Sequence, residues 1–198
     1  MPFRRIIRRN MAKLEAYQID LIAPSHGPIY DRPAFIMDAY RDWISDNAKN
    51  SVVLPYVSMH GSTKIMVEHL VAALVERGVA VHQFNLVNAD IGKLAISLVD
   101  AGTVVIGTPT VHAGAHPNAA YAAYLANVLR PKLKFASVIG SYGWTSKAVE
   151  SIAGLLPMLK VEILEPVVCQ GFPQQADFEA LDKLADTIAE KHKEQGFS

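Results

Sequence analysis

Ser58-Met59-His60-Gly61-Ser62-Thr63 stands between an apolar run, Val52–Val57, and a stretch with the apolar spacing of an amphipathic helix. A strand that stops at a small, hydroxyl-rich turn and restarts as a helix makes a cradle for phosphate. Backbone N–H groups converge in such a turn, the helix N-terminus adds partial positive charge, and Ser and Thr hydroxyls supply further donors. Gly61 lets the backbone approach an anion with no Cβ between them. No Lys or Arg lies in the loop, so dipoles and hydroxyls must hold the anion. A P-loop differs, since its motif ends in Gly-Lys-Ser/Thr. Taken alone, a Ser/Gly/Thr turn before a helix is more often only a helix cap.

Two other stretches are polar, glycine-rich or aromatic. They are Thr108-Pro109-Thr110-Val111-His112-Ala113-Gly114-Ala115-His116-Pro117 and Gly140-Ser141-Tyr142-Gly143-Trp144-Thr145-Ser146. Tyr142 and Trp144 flank Gly143, and either ring can stack on a planar heterocycle and keep water from it. Aromatics at such places more often pack the end of a sheet; beside a phosphate turn, stacking is the better reading. The N–H groups of Ser141–Trp144 are placed to meet the carbonyl edge of the same heterocycle. Pro109 sets the start of the middle stretch, Thr110 adds a hydroxyl, and Val111, His112 and Ala113 continue it. A phosphate held without basic residues, next to a planar ring, describes flavin mononucleotide (FMN). His112 then reads as a hydrogen-bond donor or stacking group at the flavin, and His60 as a contact to flavin or solvent. His112 and His116 as a metal pair would lack the further ligands a site needs, because no acidic or cysteine partner lies nearby.

These stretches meet only if the elements before them run in one direction. Val52–Val57, Val79–Phe84, Thr103–Gly107, Phe135–Gly140 and Val161–Val168 read as strands. Thr63–Glu76, Ile91–Val99, Asn118–Leu129, Ser146–Leu156 and Asp177–His192 read as helices, punctuated by Gly78, Gly102 and Pro131. The last helix has an apolar face of Phe178, Leu181, Leu184 and Ile188, whereas spacing suggests no partners for His69, His82 or His192. Strict alternation predicts an α/β fold, a doubly wound five-stranded parallel sheet with helices on both faces. Such sheets bind ligands at the carboxyl ends of the strands, near the switch point. Strands one, three and four end in the three stretches above. Pro55 falls inside the first strand, where it removes a ladder donor; the strand is expected to bulge there or to pair only on either side of it.

At 198 residues, 51% of them hydrophobic and with zero formal net charge, the chain has room for one ordinary domain and an extra piece. The boundary falls near Asn47–Asn50, giving segments 1–48 and 49–198. Zero net charge argues against nucleic acid as the main partner. Arg4-Arg5 and Arg8-Arg9 alternate with Ile6-Ile7 and read as the wet face of a helix. The single cysteine, Cys169, follows Val167-Val168 and reads as a buried core thiol, and its isolation suits a reducing cytoplasm. No apolar run reaches the roughly 20 residues of a membrane helix, and Met1-Pro2-Phe3-Arg4 lacks the apolar centre of a signal peptide. A soluble, cytoplasmic protein is expected. A receiver domain would need Asp where Gly107-Thr108 stand, a dinucleotide site would need Gly-x-Gly-x-x-Gly, and a nucleophile elbow would need Gly-x-Ser-x-Gly; none is present.

Read together, Ser58–Thr63, Gly107-Thr108-Pro109-Thr110 and Gly140–Trp144 resemble the flavodoxin-like domain of flavodiiron proteins, also called A-type flavoproteins. Ile22-Ala23-Pro24-Ser25-His26-Gly27-Pro28-Ile29 resembles the last segment of the metallo-β-lactamase-like domain that precedes it in that family, and the helix with Tyr40 and Trp43 resembles the connection. The resemblance implies strand order 2-1-3-4-5, preceded by a short helical N-terminal fragment. It also implies FMN as an electron relay and a head-to-tail homodimer. The electron donor it implies is a rubredoxin or an NAD(P)H-dependent reductase. The family reduces dioxygen to water, or nitric oxide to nitrous oxide, at a di-iron centre. His26 matches the final metal-ligand histidine, but the other ligands belong upstream, so a di-iron site requires the upstream domain to be supplied. His60 and Ser62 replace the family's usual aromatic and Asn, His112 stands where Asn is common, and Thr145-Ser146 where Ser-Gly is common. Two other readings stay open: a free-standing NAD(P)H-dependent quinone or flavin reductase, and a flavin-free interaction module whose N-terminal fragment exposes Ile19, Leu21 and Ile22.

Overall fold

The computed structural model describes residues 3–197; Met1, Pro2 and Ser198, at the outer ends of the two expected segments, lie outside them. The chain divides into two units, Met1–Asn47 and Ala48–Ser198. The first holds α1 (Arg4–Leu14) and α2 (Pro33–Ile44). Pro33 opens α2 where a missing N–H costs nothing. The basic cluster does more than face water. Arg4 donates to the Ser45 carbonyl at 3.2 Å, Arg8 donates to the Ile44 carbonyl, and both pair with Asp46. Cations there meet the open carbonyls and the negative end of α2.

In the second unit β1 (Lys49–Tyr56) leads to α3 (Ser62–Glu76) and β2 (Ala80–Asn85) to α4 (Ile91–Asp100). β3 (Ala101–Val111) passes through a two-residue strand, β4 (Gly114–Ala115), to α5 (Pro117–Leu129). β5 (Phe135–Tyr142) leads to α6 (Ala148–Ala153), and β6 (Glu162–Ile163) and β7 (Val167–Gln170) precede α7 (Gln175–Glu194). The parallel sheet runs β2-β1-β3-β5, with β6 and β7 both paired to β5. Counting β6 and β7 as one interrupted strand, this is the expected order 2-1-3-4-5. Side chains alternate across the sheet. Val52, Leu54 and Tyr56 join a core with α3 and α7, and Val53 joins one with α4, α5 and α6. Leu54, Met66, Leu70, Leu181 and Ile188 are fully buried, each stabilising the fold by roughly 2 kcal/mol through lost contact with water.

Four expectations are corrected. The fifth strand is two fragments, because Pro166 has no N–H for the ladder and Leu164-Glu165-Pro166 separates them. The fourth helix is shorter, Ala148–Ala153, and Ser146 stands in the turn before it, its Oγ accepting the Ala148 N–H at 3.2 Å. The third strand runs on to Val111 and turns back as a hairpin, pairing Thr110 with Ala115 and Val111 with Gly114. Its two central residues, His112 and Ala113, have φ of 48° and 64°; the Asn-Gly that normally announces such a turn is absent. Pro55 is paired in register with Phe84, and the irregularity lies between Lys49 and Val52 instead. The Val57 N–H donates to the Gly107 carbonyl at 3.0 Å. Pro55, in phase with Val57, therefore turns its missing donor toward β3, and that register passes from Val53↔Val104 to Tyr56↔Gly107.

Near the rim the strands close up on glycine. A Cβ on Gly140 would stand 1.9 Å from the Thr108 carbonyl oxygen, and one on Gly107 would stand 2.6 Å from Tyr56 Cβ. Among the described residues no helix is long and apolar enough to cross a membrane.

Candidate cofactor site

The carboxyl ends of β1, β3 and β5 open into one cleft of about 510 Å³. Ser58, Met59, His60, Ser62 and Thr63 line it from the first loop, Pro109, Thr110, Val111 and His112 from the second, and Ser141, Tyr142 and Gly143 from the third. Gly61 shapes the first loop without lining the cleft. Its φ is 94° and a Cβ there would meet nothing within 4 Å, so its role is backbone conformation. Ala113 also stands outside the lining, at the hairpin turn. Trp144 is 96% exposed and is not among the residues that line the cleft. The reason is local: the chain bends after Tyr142 at Gly143, whose own Cβ position is open. Gly171, which the sequence reading missed, completes the lining. Its signal was available, since it directly follows an apolar strand and so belongs to a fourth rim loop.

Ser58 organises the first loop. Its Oγ accepts the N–H groups of Gly61 and Lys64, both at 3.2 Å. Both lone pairs are then in use, and the hydroxyl proton remains to be donated outward. The N–H groups of His60, Ser62 and Thr63 meet no acceptor among the described residues. They lie at the start of a 15-residue helix, whose dipole favours an anion there by about 0.3–2 kcal/mol. No lysine, arginine or carboxylate lines the cleft. Oriented amides and hydroxyls are thus the whole of its fixed electrostatics.

The three loops are tied together. Thr63 Oγ1 and Ser141 Oγ lie 3.5 Å apart, and Thr110 Oγ1 and Ser146 Oγ 2.7 Å apart. Lys147 N–H donates to the Ala113 carbonyl at 2.6 Å. Gly171 N–H donates to the Tyr142 carbonyl at 2.8 Å, and Gln170 Nε2 to the Gly143 carbonyl at 2.9 Å. His116 does not join the cleft; its Nδ1 accepts the Asn118 N–H at 3.1 Å and caps α5. Beneath the rim, Cys169 is buried 3.6 Å from Met66 Sδ, and burial pushes its thiol up to about 11, so it stays protonated and unreactive. His26 belongs to the first unit, in a loop closed by the paired backbone bonds of Ile22 and Tyr30 at 2.9 Å. Among the described residues no group of three His, Cys, Asp or Glu could hold a metal ion. His26 alone does not make a di-iron site.

The flavodoxin family model matches residues 54–184. A nitric oxide reductase of Moorella thermoacetica is 30% identical over 194 residues, 96% of this chain and 49% of that protein. A rubredoxin-oxygen oxidoreductase of Megalodesulfovibrio gigas is 29% identical over 86% of this chain and 43% of its own. The solved rubredoxin:oxygen oxidoreductase of Desulfovibrio gigas superposes with a TM-score of 0.92 at 27% identity, covering 100% of this chain and 51% of that one. The flavodiiron protein of Giardia intestinalis shares the fold, with a TM-score of 0.80 at 22% identity over 96% of this chain and 50% of its own. The chain thus spans about half the length of the relatives it matches. With three rim loops on one cleft, it belongs to the flavodoxin family and corresponds to the flavodoxin-like part of flavodiiron proteins.

Proposed function

We propose that this cleft binds FMN and that the chain serves as an electron-transfer module of a flavodiiron-type oxidoreductase. The observation that carries the reading is the first loop: three unmatched N–H groups and a free hydroxyl proton at a helix start, with no lysine or arginine among the described residues that line the cleft. That donor set suits a phosphate monoester held by dipoles and hydroxyls. When bound, the flavin supplies electron storage of one or two electrons at an organic ring. The chain's own part is to bind, orient and shield. Ser58, His60, Ser62 and Thr63 would take the phosphate. Pro109, Thr110, Val111, His112 and Ala113 would flank the ribityl chain and ring. Ser141, Tyr142, Gly143 and Trp144 would cover the ring, Trp144 by moving from solvent onto it.

In this reading residues 49–198 are the FMN domain, and residues 1–48 are the end of a metallo-β-lactamase-like domain with its linker. His26 would be a metal ligand only with that domain supplied. A rubredoxin or an NAD(P)H-dependent reductase would deliver electrons, in a homodimer within the cytoplasm. The relatives support this assignment through their names: a nitric oxide reductase, a rubredoxin-oxygen oxidoreductase and a flavorubredoxin of Escherichia coli.

The test is a titration of the purified chain with FMN and, separately, riboflavin. The expected result is one FMN per chain, a perturbed flavin absorbance band, and binding at least tenfold weaker for riboflavin, which lacks the phosphate. Equal affinity for the two, or no binding, would overturn the assignment.

A further inference from the structure

The titratable side chains that line the cleft are His60, His112 and Tyr142 alone. A phenol titrates near pH 10, whereas an imidazole changes charge between pH 5 and 8. The two histidines are held differently. Both are exposed, but His60 sits in the loop before α3, while His112 occupies the turn of the β3–β4 hairpin at φ 48° beside Ala113 at 64°. That backbone state is unfavourable for residues with a Cβ. It is braced here by the Thr110–Ala115 and Val111–Gly114 pairs, by Lys147 N–H on the Ala113 carbonyl, and by the Thr110–Ser146 hydroxyl contact. The His112 ring has no hydrogen-bond partner among the described residues, yet it lines the cleft. A strained, braced turn that presents an unpaired imidazole to a ligand site has the character of a functional constraint.

Resting on the FMN reading above, we infer that His112 is the group that takes up a proton when the bound flavin is reduced. Reduction of a bound flavin by two electrons, one from each of two encounters with a reduced iron–sulfur carrier, with one proton from solvent, would place one negative charge in this cleft. An opposite charge nearby strengthens an imidazole's hold on a proton. His112 then takes a second proton from solvent and becomes an imidazolium. The sum is two electrons and two protons in, and the reverse on oxidation. The groups that face the hairpin do not do this instead. His60 and Tyr142 share the cleft lining. Lys147 and Glu150 come from the start of α6, which packs on β4, and carry opposite charges. The Nδ1 of His116 is committed to the α5 cap. No carboxylate lines the cleft to hold a proton on His112 before reduction, so the negative ring is the partner that arrives with the electrons.

The experiment uses the full chain loaded with FMN. The two-electron midpoint potential is followed from pH 5 to 8 in the native protein, His112→Asn and His60→Asn. Asn tolerates positive φ and cannot be protonated, so the hairpin survives while the titration is lost. The expected result is a pH slope steeper by up to one proton, between the oxidised- and reduced-state titrations of His112, in the native protein and His60→Asn than in His112→Asn. The His112 imidazole resonance should also titrate at least tenfold tighter in the reduced protein than in the oxidised one. Identical slopes in native protein and His112→Asn would overturn the inference while leaving FMN binding intact. Loss of the steeper slope in His60→Asn alone would overturn it too. Failure of the native chain to bind FMN, visible in the spectrum before any potential is measured, would overturn the flavin reading and this inference together.

Discussion

At the amino ends of the strands buried polar side chains are paired with one another, whereas at the carboxyl ends the backbone donors of the first loop open onto a cleft unmatched. His192 shows the first design. It is 1% exposed, with Nε2 2.7 Å from Thr103 Oγ1 and Nδ1 2.9 Å from Asn50 Oδ1. Asn50 Nδ2 donates to the Gly78 carbonyl at 3.0 Å, so Oδ1 accepts, Nδ1 carries the proton, and Nε2 accepts from the threonine hydroxyl. Asp100, three residues before Thr103, has Oδ1 2.8 Å from Lys132 Nζ and Oδ2 3.8 Å from Lys49 Nζ, two ion pairs at the same end. Buried polar groups demand such partners. At the other end the N–H groups of His60, Ser62 and Thr63 open onto the cleft without such partners among the described residues, and His112 and Ala113 hold unfavourable backbone angles. One sheet therefore separates an end whose buried side chains pair with one another from an end whose first-loop backbone donors open onto a cleft.

The largest effect should come from breaking the cleft end. Gly61→Asp places a carboxylate where phosphate is proposed to bind, and like charges in contact cost several kcal/mol. FMN affinity should fall by more than about 100-fold. Asp tolerates positive φ and its Cβ would meet nothing within 4 Å, so circular dichroism should show an unchanged fold. Next comes the satisfied end, which acid should attack. Burial holds His192 down to about 4, whereas an unfolded histidine titrates near 6.5. Below pH 6.5 the unfolded chain gains a proton that the folded chain refuses. Stability present above pH 6.5 is thus lost as pH falls toward 4, by about 3 kcal/mol from this group. Urea denaturation across that range, with the His192 imidazole resonance titrating near the lower limit, checks it. The smallest effect sharpens the contrast at one residue. Ser58→Ala removes a cap and an outward donor, and should cost about 1 kcal/mol of stability and roughly tenfold in FMN affinity, measured by thermal melting and by flavin titration.

Much of this was legible along the chain. Val104-Val105-Ile106 and Val52-Val53-Leu54 are runs that only buried parallel strands accommodate, and their order followed from alternation with helices. The three rim loops declared themselves through small, hydroxyl-bearing and aromatic residues at strand ends. What could not be read depended on distant partners or on conformations against local preference. His192 finds Asn50 across 142 positions, a relation no periodicity encodes. The β3–β4 hairpin turns on His112-Ala113, which carry no turn signal. Pro166 was visible, yet its flanking apolar residues masked the break it makes in the last strand.

The central claim is that the three rim loops jointly hold FMN with its phosphate on the start of α3. Amide resonances of the isotope-labelled chain, followed while FMN is added, test it most directly. The account predicts shifts concentrated at residues 58–63, 109–113 and 141–144, the largest at the His60, Ser62 and Thr63 N–H groups. Shifts centred instead on Asn50, Thr103 and His192, or spread evenly over the sheet, would contradict it.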